Sequence, residues 1–163
     1  MPKRSELSPS WEKVLTVLAV AAAFYHIYAL GMVAVGIWQL RVVHLMAGLL
    51  LAPLLYKAKA SSPDHRPSIL DLVLAVLGIT VSVYALLQEE GIVYRAGVDP
   101  TDWDIIMGTI MLGLIVELTR RCLGWPLVIV MAVFMCYAFY APYFPGVLKA
   151  KSYNYPRVIS QML

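Results

Sequence analysis

The chain has 163 residues, 61% of them hydrophobic and only 14% charged, with a net charge of +3. A soluble domain carries about 45–50% apolar and about 25% charged residues. That excludes a soluble globular protein and predicts an all-α integral membrane protein. The small positive balance comes from lysines and arginines beside apolar runs, with no basic stripe interleaved with aromatics, so no nucleic acid is expected as a partner.

Residues 1–13, MPKRSELSPSWEK, form a polar, basic segment expected in the cytoplasm. The apolar run Val14–Val35 that follows is too long for the core of a signal peptide and reads as a first transmembrane helix. Four more apolar segments complete a helical membrane domain over residues 14–144: Trp38–Tyr56, Ile69–Gln88, Trp103–Leu118 and Trp125–Phe144. Each is near the roughly 17–25 residues needed to cross about 30 Å of hydrocarbon. Arg41 and His44 shorten the second, and the fourth is short throughout, so about five spans are expected, with four as the alternative. Residues 145–163 read as an amphipathic tail.

With the N-terminus inside, the inner segments hold eight lysines and arginines (Lys3, Arg4, Lys13, Lys57, Lys59, Arg66, Arg120, Arg121) and the outer ones five (Arg41, Arg95, Lys149, Lys151, Arg157). The excess on the inner side sets the orientation. Trp11, Trp38, Trp103 and Trp125 all fall at segment ends, where indole rings favour the headgroup region. Ser68 and Asp71 have the spacing of a capping box before the third segment. Asp99 and Thr101 offer cap oxygens before the fourth, and Pro100 suits a first helical position.

Glu117 has Arg120 and Arg121 at i+3 and i+4, the distances at which opposite charges meet on a helix. One reading is a self-neutralised helix end; the other is a contact with a partner subunit or a lipid phosphate. Arg41 and His44 lie three apart on one face near a membrane boundary, where an arginine can reach up to water. They are further candidates for a subunit or lipid interface. His26, in mid-span, is expected as a neutral histidine hydrogen-bonded across a helix interface. Gly78 and Ser82, with Ala75, form a small-residue face on the third span, and Tyr137, Tyr140 and Tyr143 an aromatic belt on the fifth. Cys122 and Cys136 are expected as free thiols, since about fourteen helical residues separate them by roughly 20 Å. Metal-ligand spacings, catalytic triads and phosphate-binding loops are absent from the sequence, so an enzyme is not expected, and no cofactor bound by this chain.

The run YRAG…D…G…ELTRRCLGWPLVI…F…YAFYAPYFPG, with the tail KSYNYPRVISQML, resembles the N-terminal, small-permease part of fused TRAP (tripartite ATP-independent periplasmic) transporter permeases of the TAXI type. The resemblance covers Tyr94–Leu163 and rests on Arg95, Gly97, Asp104, Gly108, Glu117, Arg120, Arg121, Gly124, Tyr137, Pro145, Gly146 and Arg157. It implies the scaffold component of a sodium-driven importer of small organic acids, in a bacterial or archaeal inner membrane. The implied partners are a large TRAP permease part, continuous or separate, and a periplasmic solute-binding protein. Sodium belongs to the whole transporter, and no sodium or substrate site carries over onto these residues. Glu89, Glu90, Arg95 and Asp99, on the expected outer side, are candidates for docking the binding protein, and so is the tail. The runner-up readings are the small subunit of a tripartite tricarboxylate transporter, against which the E-x-x-R-R block weighs, and a membrane assembly or sensor protein.

Overall fold

A computed structural model describes residues 4, 6–33, 35–59 and 61–163. Helices dominate them: α1 (Pro9–Gly31), α2 (Ile37–Leu55), α3 (Ile69–Leu87), α4 (Glu89–Arg95), α5 (Asp102–Cys122), α6 (Trp125–Tyr140) and α7 (Tyr155–Ser160). Two short 3₁₀ turns separate α6 from α7. The chain is an all-α membrane protein made of two compact units, Met1–Glu89 and Glu90–Leu163.

Among the described residues, four segments are long and apolar enough to cross a membrane: Pro9–Gly31, Ile37–Leu55, Ile69–Leu87 and Trp125–Tyr143. The expected fourth span, Trp103–Leu118, lies inside α5, which is not among them. That helix has 21 residues but carries Asp102, Asp104, Glu117, Arg120 and Arg121. Its uncharged middle, Ile105–Val116, rises only about 18 Å.

In the first unit α2 packs along α3 and, less extensively, along α1. Small residues set the closest approach. A Cβ on Gly78 would stand 2.7 Å from Leu49 Cβ, so the absence of a side chain lets α2 and α3 touch. Ala75 and Ser82 are buried on the same face, as the small-residue pattern predicts. Pro53 sits inside α2 and has no N–H to offer the carbonyl of Leu49. Leu15, Leu54 and Ala75 centre the apolar core, with Leu7, Leu50, Leu51 and Leu55 against them.

In the second unit α5 and α6 form a hairpin at Gly124, whose φ of 88° is a backbone conformation that favours glycine. The buried face of α5 reads Asp104, Gly108, Met111, Leu114, Leu118 and Arg121. The tail does not extend away from this hairpin. It folds back so that α7 lies on α5, with Ile159 fully buried against Gly108. Gly97 N–H donates to Ser160 Oγ at 3.0 Å, and Thr109 and Tyr155 share a hydroxyl contact at 2.8 Å.

Candidate functional site

Four clusters of polar residues stand out among the described residues, beside the Lys57–Asp64 ion pair in the connection between α2 and α3. The first gathers around Arg4, whose side chain, like that of Asp71, is 0% exposed. Arg4 Nη2 donates to Asp71 Oδ2, and its other nitrogens reach the carbonyls of Pro53, Leu54 and Pro63. One guanidinium therefore satisfies carbonyls at the C-terminal end of α2 and neutralises the acidic first turn of α3, matching both helix dipoles. Asp71 also accepts from the backbone N–H of Ser68, the expected capping box.

The second unit repeats this device. Thr101 caps α5 and Asp104 closes the box, so Pro100 lies before the cap and not at a first helical position. Asp99 is exposed and outside the cap. Arg95 binds Asp104 through two parallel bonds, Nε to Oδ2 at 2.9 Å and Nη2 to Oδ1 at 3.0 Å. This bidentate geometry is the strong form of the pair. Arg95 is thus occupied by Asp104, a carboxylate nine positions along the chain.

At the far end of α5, Glu117 accepts from Arg120 at 2.8 Å and from Arg121 Nε at 2.7 Å. The side chain of Arg121 is fully buried, while Glu117 and Arg120 are half-buried. The hydrogen bond to Glu117 holds the Arg120 guanidinium above its usual range. Burial pushes the neighbouring Cys122 thiol up, opposed by the charge of Arg121. Both cysteines are free.

His26 and His44 form the fourth cluster, between α1 and α2. His26 Nδ1 lies 2.6 Å from the carbonyl of Ala22, and its Nε2 lies 3.1 Å from His44 Nδ1. A carbonyl only accepts, so the Nδ1 proton of neutral His26 goes to Ala22. Its Nε2 then accepts from His44 Nδ1–H. The expected interhelical bond of His26 is present, and His44 is its partner. Arg41, by contrast, points to an exposed position.

Glu89 accepts from Gln39 at 3.3 Å, and Glu90 is exposed. No group of three or more His, Cys, Asp or Glu side chains able to hold a metal occurs among the described residues. What this arrangement does chemically is pair charge: Asp71 in the first turn of α3, Asp104 in that of α5 and Glu117 near the end of α5 are each matched by arginine. The roles of Arg4 and Arg95 are not legible from spacing, although a capping-box aspartate ahead of an apolar run is a signal that a cation is needed nearby. Comparison of the chain with protein-family models, characterised proteins and solved structures finds no match.

Proposed function

We propose that this chain is the small, non-moving membrane component of a TRAP-type secondary transporter. It braces a large permease part whose moving domain carries small organic acids with sodium, supplied by a periplasmic binding protein. The sequence resemblance over Tyr94–Leu163 is the source of this reading. The observation that carries the scaffold role is the low mutual burial of the apolar helices. Only 11% of the apolar stretch of α1, and 11% of that of α6, is buried within the chain. A self-sufficient transporter needs helices packed around a substrate path near the bilayer midplane. Here long apolar faces are left for lipid or for another membrane protein, while Asp71, Asp104 and Glu117 are each paired with arginine.

Pull-down of the chain from native membranes in mild detergent, with mass analysis of what accompanies it, tests the proposal. A large polytopic permease and a soluble binding protein are expected, or the same peptides within one longer polypeptide. Recovery of the chain alone, or only with copies of itself, would turn the reading to an assembly or sensor protein.

A further inference from the structure

A cleft runs between α1 and α2 in the first unit. At its mouth a cavity of about 400 Å³ is lined by Arg4, Glu6 and Glu12 together with Leu15, Thr16 and Ala19. Leu51 and Leu55 are shared with a deeper cavity of about 430 Å³, which continues past Ala22, Ala47 and Gly48 to the His26–His44 pair. The cleft is therefore polar and anionic at one end and apolar along its length.

Its dimensions suit an amphiphile. Glu12 lies in the first turn of α1, and Leu55 ends α2, so the mouth is at the ends of two membrane-length helices. From Leu15 to His26 α1 rises about 16 Å, close to half of a hydrocarbon core about 30 Å thick. The trough walls are two helices already in contact, so the groove runs along the seam between them.

Charge selects the headgroup. Neither Glu6 nor Glu12 makes an ion pair among the described residues. The cations nearest in the chain do not neutralise them: Arg4 is committed to Asp71, and Lys13 forms no ion pair among the described residues. Two carboxylates at headgroup level call for a primary ammonium with N–H donors. A phosphatidylethanolamine has one, a phosphatidylcholine lacks the donors, and a phosphatidylglycerol lacks the positive charge. We propose that the α1–α2 cleft is a binding site for an ethanolamine phospholipid, with its ammonium on Glu6 and Glu12 and one acyl chain along Ala19, Ala22 and Gly48.

The test is native mass spectrometry of the full chain in mild detergent, titrated with phosphatidylethanolamine, phosphatidylcholine and phosphatidylglycerol of matched chains. Two exposed ion pairs of ordinary strength predict retention of the ethanolamine lipid roughly fivefold above phosphatidylglycerol, and N–H donation to the carboxylates places it above phosphatidylcholine as well. Both carboxylates are at exposed positions, and Glu6→Gln with Glu12→Gln should erase the preference while leaving the helical circular dichroism unchanged. A Cβ on Gly48 meets nothing within 4 Å, so Gly48→Leu fills the trough without a backbone clash and should reduce retention of the ethanolamine lipid. Equal retention of the three lipids in the wild-type chain overturns the proposal, as does a preference that survives the double glutamine variant. Unchanged retention in Gly48→Leu overturns the placement of the acyl chain.

Discussion

Arg4 and Asp71 stand 67 positions apart and form an ion pair from which both side chains are wholly excluded from solvent. The pair joins the N-terminal segment to the start of α3, while the remaining nitrogens of Arg4 hold the end of α2. One residue outside any helix thus ties together two helix ends in the first unit. Arg95 does the corresponding work for Asp104 in the second.

Removing one member of such a pair leaves a buried charge without its counter-ion. Arg4→Ala is expected to destabilise the first unit by about 3–5 kcal/mol. Replacing both members by apolar residues, Arg4→Met with Asp71→Leu, should recover much of that loss, short of about 1 kcal/mol for the cap that Asp71 completes. Thermal unfolding in detergent, read as a double-mutant cycle, checks this. Equal losses in the single and double variants would show that the pair is not what stabilises this end of the unit.

Two glycines hold closest approaches. At Gly78 a methyl group would stand 2.7 Å from Leu49 Cβ, and at Gly108 2.6 Å from Ile159 Cγ2 and 2.8 Å from its carbonyl oxygen. Gly78→Ala should cost about 1–3 kcal/mol by forcing α2 from α3. Gly108→Ala should lift α7 off α5 and expose the tail to protease, with the helical signal of α5 preserved. A tail as protected as in the wild type would mean that Ile159 yields without undocking.

Cys122 offers a pH test. Burial raises its thiol above the usual value of 9.0, with Arg121 pulling the other way. The folded state therefore favours the neutral thiol. Its contribution to stability is present below the unfolded-state pKa and is lost as pH rises through the folded one. Alkylation follows the thiolate. In a Cys136→Ser background, labelling of the folded chain at neutral pH should be slower than that of the denatured chain, and the gap should narrow as pH rises above 9.0. Identical rates in both states across that range would rule out the raised pKa.

Whether α5 crosses the membrane is decided within the second unit. In its first turn Asp104 is paired with Arg95, at its far end Glu117 is paired with Arg120 and Arg121, and it hairpins with α6. A crossing α5 puts exposed Val98 and Val147 on one side and exposed Leu123 on the other. In a chain freed of Cys122 and Cys136, Val98→Cys and Val147→Cys are expected to be labelled from the same side, and Leu123→Cys from the opposite one. Labelling of Val98→Cys and Leu123→Cys from a single side would leave α5 at the interface.

The His26–His44 bond is a polar contact between α1 and α2, within about two turns of the end of α1 and the start of α2. Interhelical hydrogen bonds in membranes average about 0.6 kcal/mol. His44→Leu should therefore weaken the pairing of α1 with α2 by that order, seen as a broadened distance distribution between spin labels on the two helices. A loss of several kcal/mol would indicate a role beyond this one bond.

Features that depend on short-range geometry are legible in the sequence. Long apolar runs make helices of membrane length, because the bilayer core requires every backbone group to bond within its own helix. The i+3 and i+4 spacing closes Glu117 on Arg120 and Arg121, and Ser68 on Asp71 makes a cap, since helix geometry alone brings such neighbours together. Two short helices stayed hidden: α4, between the third and fourth apolar segments, and α7, whose six residues become helical while docked on α5. Tertiary structure alone decided the partner of Asp71, the meeting of His26 with His44, and the docking of Ile159 on Gly108. These are contacts between residues 18 to 67 positions apart. They depend on which faces of nearly all-apolar helices meet, and a helix that is hydrophobic all round carries little periodicity to mark that face.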